Sequence, residues 1–250
     1  MNHAAKRLIA HLAAGKARSA PLGQPSIALG DLTWPAVAEI AANRLLVVPL
    51  GATEQHGPHL PLSTDTQIAV ALAQRFAARR ADVVVAPAVA YGSSGEHAGF
   101  VGTLSIGADA LKMLVVELGR SADAFSGVVL ISGHGGNAEP VSAAAALLQA
   151  EGRRVLAWTP RIREGDAHAG RTETSLLLSV RPDTVRLADA CRGDERPLVD
   201  LLPLLREHGV AAVSDNGVLG DPTGATGAEG AALLEALVDD LDADIRVWQQ

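Results

Sequence analysis

Residues 45 to 65 read LLVVPLGATEQHGPHLPLSTD, a short apolar run that leads directly into a loop rich in histidine and acidic residues. The run is continuous rather than alternating, which is typical of a strand buried on both faces of a parallel sheet. Further Val-rich runs occur at 83–89, 128–131 and 155–158. Four buried parallel strands are therefore predicted.

The segments between these runs have helical periodicity, which decides the fold class. Alternating strands and helices favour a mostly parallel sheet with helices on both faces, an α/β/α sandwich. A Pro-, Gly- and Asp-rich stretch at about 186–226 is predicted to be irregular. The predicted helices are 66–80, 109–124, 138–151, 227–247 and one beginning near Trp34, which Asp31 could cap.

No internal repeat or low-complexity linker divides the chain. We therefore expect a single domain at residues 26–250, preceded by a flexible or peripheral segment at residues 1–25. The chain has 250 residues, of which 48% are hydrophobic and 20% charged, and this composition excludes a disordered protein.

The formal charge of −7 provides no basic surface for nucleic acid, so a nucleic-acid partner is not expected. The single cysteine, Cys191, cannot form an intramolecular disulfide, and no segment reads as a signal peptide or membrane span. These features favour a cytoplasmic protein that does not associate with membranes.

The loop after the first strand carries Glu54, His56, His59 and Asp65 within twelve residues. Side chains two apart in an extended segment share a face, so Glu54 and His56 can reach one point, and a Gly-Pro turn can return Asp65 to it. Mixed carboxylate and imidazole ligands suit Zn²⁺, Mn²⁺ or Fe²⁺. The alternative is that these are solvated loop residues, above all His59.

A second loop, SGHGGN at 132–137, follows another predicted strand and carries His134. Its glycines allow a ligand to approach the backbone closely. A phosphate-binding loop is a poorer interpretation, because the segment lacks the Lys-Ser/Thr ending and the spacing of a P-loop.

Two more loops after strands carry the same residue types. HAGRTETS at 168–175 contributes His168 and Glu173, although a glutamate in a first helical turn is also favoured by the helix dipole alone. YGSSGEHAGFVGT at 91–103 contributes Glu96 and His97. Because parallel strands place their carboxyl ends at one edge, we expect all four loops to meet there.

From about Leu45 to the last helix, the sequence resembles the creatininase family of metal-dependent amidohydrolases. EQHGPHLPLSTD, GHGGN and HAGRTETS are similar to its three signatures, with the internal spacing preserved. The resemblance implies two divalent ions, which could be Zn, Fe or Mn. It also implies that Asp65 bridges them, with Glu54 and His134 completing one site and His56 and Glu173 the other.

One position departs from the resemblance. Creatininase carries a carboxylate two residues after the histidine of the second signature, and this chain has Gly136 there. We expect this glycine to remove a proton-handling group and to widen the mouth of the site. His168 and Glu96 then become the candidate catalytic residues for proton transfer.

The other residues of the GHGGN loop, Gly135, Gly136 and Asn137, are predicted to bind the substrate or to support the metal ligands. Two divalent ions can lower the pKa of a shared water and polarise the carbonyl that it attacks. Backbone N–H groups of Gly135 and Gly136 could hold the oxyanion, and Asn137 could orient the substrate or a ligand.

Within the family, GHGGN combined with SVRPDTVRL and NGVLGDPTGATGAEG resembles members that trim the modified C-terminal portion of a ribosomally made precursor peptide. One alternative is hydrolysis of a small lactam or formamide on the same scaffold. Another is a non-catalytic protein in which ions only staple the loops together. A homo-oligomer is expected, because the family forms rings and because the last helix carries more apolar positions than one sheet face needs.

Overall fold

A computed structural model of the protein describes residues 27–162 and 165–250. The predicted N-terminal segment, residues 1–25, lies outside the described residues. Its separation from a domain at residues 26–250 therefore stays a prediction.

The five strands of the described residues form one parallel sheet. The four predicted strands are confirmed, and a short first strand joins them at the edge. The third strand ends earlier than predicted, because Pro87 has no N–H for the ladder, and only an isolated bridge joins Val89 to Leu50. The strands are β1 (Ile27–Ala28), β2 (Leu45–Leu50), β3 (Val83–Val85), β4 (Gly127–Ser132) and β5 (Val155–Trp158). Their order in the sheet is β1-β3-β2-β4-β5.

The predicted helices are confirmed to within a few residues, and a further helix lies in the stretch predicted to be irregular. Among the described residues, none of the helices has the length and apolar composition that crossing a bilayer requires. The helices are α1 (Trp34–Ile40), α2 (Thr64–Ala78), α3 (Ala108–Ser121), α4 (Ala138–Ala150), α5 (Arg171–Val180), α6 (Leu198–His208) and α7 (Gly227–Trp248).

Two predictions about the helices were wrong: that the stretch at about 186–226 is irregular throughout, and that Asp31 caps α1. The helix α6 contains Pro203, whose ring normally interrupts a helix, and this masked the helical pattern of its neighbours. Asp31 does not cap α1, because it belongs to a separate turn of 3₁₀ helix. Thr33 precedes α1 instead and makes no side-chain capping bond.

Alternate residues of each central strand pack against opposite helix layers. Val47 and Val129 face α2, α5 and α7, where they join Phe76 and Leu241 in one cluster. Val48, Leu130 and their neighbours face α1, α3 and α4 in the other cluster. Burial on both faces explains why the strand sequences are continuously apolar.

The direction in which successive strands are added to the sheet reverses at β2. The chain passes from β2 to β3 on one side and then crosses to β4 on the other, so that Leu50 and Ser132 pair at the carboxyl ends of adjacent strands. Such a switch point leaves a crevice between the loops that follow the two strands. Glu54 and His134 lie in those loops.

Candidate metal centre

The five predicted ligands converge at this crevice. Glu54 and His56 follow β2, Asp65 lies in the first turn of α2, His134 follows β4, and Glu173 lies in the first turn of α5. The first four side chains are almost fully buried, and Glu173 is mostly covered.

Asp65 joins two groups of side chains. Its Oδ2 lies 3.2 Å from His134 Nδ1, and His134 Nε2 lies 3.2 Å from Glu54 Oε2. Its Oδ1 lies 3.0 Å from His56 Nε2, which is 3.8 Å from Glu173 Oε2. The two groups match the two predicted ligand sets, with Asp65 common to both.

Several buried oxygen atoms of this cluster have no hydrogen-bond partner among the described residues. They are both carboxylate oxygens of Glu54 and Oδ2 of Asp65. A buried carboxylate without compensation is costly, whereas coordination to a cation compensates it. The donor set of carboxylate oxygens and imidazole nitrogens therefore fits divalent ions such as Zn²⁺, Mn²⁺ or Fe²⁺.

The pKa values show how strongly these charges interact. Burial, assisted by the charge of Asp65, raises the pKa of Glu54, and burial raises the pKa of Glu173 to about 7. Burial alone would lower the pKa of His56, but the carboxylates of Asp65 and Glu173 raise it to about 10. Without cations, the cluster therefore retains protons that divalent ions would displace.

The two predicted proton-transfer residues occupy different surroundings. His168 is buried, which lowers its pKa well below the usual range, and its Nε2 lies 2.9 Å from the carbonyl oxygen of Gln55. Its Nδ1 lies 3.9 Å from Glu54 Oε1. Glu96 stands at the rim, where 30% of its side chain is exposed and its Oε1 lies 3.5 Å from His134 Nε2.

The structure shows no open space directly beside Gly136, so a wider mouth of the site stays a prediction. A Cβ at this position would collide with Glu96 Oε1, His134 Nε2 and the carbonyl oxygen of Ser93. The space beside the glycine is therefore already filled, in part by the Glu96 carboxylate. A carboxylate remains beside His134, supplied by a different loop.

Asn137 holds the loops together from behind the cluster. Its buried side chain accepts a hydrogen bond from the Ser93 N–H at 2.9 Å and donates to the Gly51 carbonyl at 3.0 Å. This arrangement fits the supporting role; because the side chain is fully buried, a role in orienting substrate stays a prediction. Gly135 is exposed and Gly136 half-buried at the rim, so contact of either with substrate stays a prediction.

His59 is not the solvated residue that we considered as an alternative. It is buried, and its Nε2 lies 2.9 Å from the hydroxyl of Thr174, in α5. It therefore packs the loop after β2 against the helix that carries Glu173.

Sequence reasoning missed two residues that position the cluster, Gln55 and Asp166. Gln55 borders Glu54 and contacts His97, which the sequence had placed at this edge, but Gln55 itself belongs to no recognisable spacing pattern. Asp166 accepts hydrogen bonds from the N–H groups of Arg171 and Thr172, and so caps the helix that carries Glu173. An aspartate shortly before a helix start was the available signal for this cap.

Comparison with known proteins gives concordant matches. The family described as "Creatininase: Creatinine amidohydrolase" matches residues 30–245. The mycofactocin precursor peptide peptidase of Mycolicibacterium smegmatis is 52% identical over 212 residues, covering 82% of this chain and 85% of that protein. The Mycobacterium tuberculosis protein of the same name is 50% identical, covering 81% and 85%.

The fold has a close counterpart among solved structures. A crystal structure of creatinine amidohydrolase (creatininase) superposes with a TM-score of 0.77 at 26% sequence identity. The match covers 89% of this chain and 97% of that one. The predicted α/β/α architecture is thus confirmed by an experimentally determined relative.

Proposed function

The chain belongs to the creatininase family, and we propose that it is a metal-dependent peptidase that cuts the mycofactocin precursor peptide near its modified C-terminus. The observation that carries the proposal is the pair of carboxylate–imidazole groups joined by Asp65. Identity of about half over four-fifths of the chain to peptidases of that name supports the choice of substrate.

We assign Glu54, His134 and Asp65 to one divalent ion and His56, Glu173 and Asp65 to the other. When bound, such ions lower the pKa of a water molecule and polarise the carbonyl that it attacks. Three protein residues at each ion would leave it fewer than the four protein ligands that usually close a structural zinc site, which favours the catalytic role.

The chain's own residues must then supply a proton to the leaving nitrogen, because an amine anion is a poor leaving group. His168 lies beside Glu54 and is held neutral by burial, so it can accept a proton and then pass it to the leaving nitrogen. Glu96 reaches solvent at the rim and can contact a bound peptide directly. We propose that the peptide lies over the loops at 91–100 and 132–137.

We also propose that the protein is a cytoplasmic homo-oligomer. The leucines Leu234, Leu237 and Leu241 of α7 do not support it, because they pack against α2 and α5 within the same chain. Exposed apolar side chains elsewhere, such as Trp34 and Val101, are better candidates for a subunit interface. Light scattering at micromolar concentration should give a mass above that of a single chain.

The decisive experiment compares substrates. The purified protein, loaded in turn with Zn²⁺, Mn²⁺ and Fe²⁺, is incubated with the precursor peptide, creatinine, other lactams and formamides, and the products are identified by mass spectrometry. We expect cleavage of the peptide and negligible creatinine hydrolysis. Creatinine turnover without peptide cleavage under any metal condition would assign the protein to the small-lactam alternative.

A further inference from the structure

The side-chain amide of Gln55 is fixed by backbone groups at both ends. Its Oε1 accepts a hydrogen bond from the Gly57 N–H at 2.9 Å, and its Nε2 donates to the Gly217 carbonyl at 3.1 Å. Gly217 has a φ of +77°, and a Cβ there would collide with the amide. The positions of the amide oxygen and nitrogen are thus determined by their partners.

The second N–H of this amide determines the protonation of His97. Gln55 Nε2 lies 2.8 Å from His97 Nδ1, and an amide nitrogen can only donate, so Nδ1 must accept. A neutral imidazole with a bare Nδ1 carries its proton on Nε2, which lies 3.3 Å from Glu54 Oε1. The nitrogen of His97 that faces the Glu54 carboxylate therefore carries a proton.

The backbone carbonyl of Gln55 determines the protonation of His168. It lies 2.9 Å from His168 Nε2 and can only accept, so this nitrogen carries the proton. A bare Nε2 at that distance would place two lone pairs against each other. The neighbouring Gln55 Nε2, at 3.1 Å, directs its protons to His97 and Gly217 instead.

We infer that Gln55 is a positioning residue that fixes the tautomers of both imidazoles, keeping a proton on the His97 nitrogen that faces Glu54 and leaving Nδ1 of His168 unprotonated. Glu54, His97 and His168 have potential ligand atoms within 4.8 Å of one another and would by distance alone pass for a metal site. The tautomers exclude His97 as a ligand, because its nitrogen facing the cluster carries a proton. They leave His168 able to accept a proton or a cation.

The test measures tautomers directly, and it requires neither substrate nor catalysis. Protein labelled with ¹⁵N-histidine is examined by two-bond ¹H–¹⁵N correlation NMR, metal-free and with Zn²⁺, with His97→Gln and His168→Gln variants for assignment. We expect both rings as the Nε2–H tautomer in the wild type. A Nδ1–H or doubly protonated His97 in both preparations would overturn the inference.

Two substitutions separate the side-chain and backbone contributions of Gln55. In Gln55→Glu the amide N–H is replaced by an oxygen, so His97 should change to the Nδ1–H tautomer while His168 stays unchanged. Gln55→Met, which neither donates nor accepts strongly, should give a mixture at His97 and weaken zinc binding or turnover roughly 10- to 100-fold. Gln149→Glu, at a hydrogen bond to Val155 remote from the crevice, is the matched control.

The tautomers themselves do not depend on the proposed function; only their expected effect on zinc binding and turnover rests on it. An unchanged His97 tautomer in Gln55→Glu would contradict the inference even if the peptide is cleaved. Conversely, the predicted tautomers in a protein that cleaves no peptide would leave the inference standing and remove the proposed substrate.

Discussion

The crevice at the carboxyl edge of the sheet and the seam between α2 and α7 both contain carboxylates in contact with basic side chains. The crevice buries these carboxylates, whereas the seam leaves them partly exposed. In the seam, Arg75 and Arg79 pair with Glu235, and Arg80 pairs with Asp242, all at least partly in solvent. In the crevice, Glu54 and Asp65 are buried and retain carboxylate oxygens without hydrogen bonds. Exposed ion pairs contribute little to stability, whereas buried carboxylate oxygens without hydrogen bonds are costly unless a cation compensates their charge.

The largest expected effect is at the residue shared by both halves of the crevice. In Asp65→Asn, one carboxylate charge common to both ligand sets is lost, so we expect both ions to be lost and peptide hydrolysis to fall to that of chelator-treated protein. Metal analysis and product mass spectrometry measure the two losses. Full activity with both ions retained would contradict the bridging role.

Substitution of the other ligands sharpens the same test. Each of His134→Asn and Glu173→Gln should weaken one ion more than the other, since the two residues belong to different ligand sets. Equal loss of both ions in both variants would contradict the division into two sites.

The next effect concerns proton transfer without loss of ions. His168→Ala should retain the metals and reduce turnover by roughly 10² to 10⁴, because it removes a proton carrier rather than a charge that holds a cation. Glu96→Gln is the competing variant. Normal turnover in His168→Ala, together with impaired Glu96→Gln, would assign the role to Glu96.

A smaller effect is expected at Gly136, where no space remains for a side chain. Gly136→Ala places a methyl group against Glu96 and His134, and overpacking of this kind costs about 1 to 3 kcal/mol. We expect a lower unfolding midpoint in denaturant and reduced turnover. Gly135→Ala is the matched control, because a Cβ there meets no atom within 4 Å.

The smallest effect is expected in the seam. Glu235→Gln removes the exposed carboxylate that contacts Arg75 and Arg79, and it should change the free energy of unfolding by at most about 1 kcal/mol. Metal content and hydrolysis should be unchanged, and added salt should reduce the difference in stability. A loss comparable to that of Asp65→Asn would remove the contrast between the two regions.

Local sequence patterns were enough to predict the sheet, the main helices and the edge where the chemistry lies. Continuous apolar runs specify strands buried on both faces, and parallel strands gather their following loops at one edge. That reasoning placed Glu54, His134 and Glu173 together before any coordinates. It needed only local periodicity and the order of the elements.

The contacts between side chains of different loops could be read only from the folded chain. Glu96 lies against Gly136, His59 is buried under Thr174, and Gln55 joins His97 to Gly217. These contacts link residues roughly 40 to 160 positions apart, so no local pattern encodes them. They follow from loop paths that are fixed when the helices pack on the sheet, because close packing and the pairing of buried polar groups select one arrangement among many.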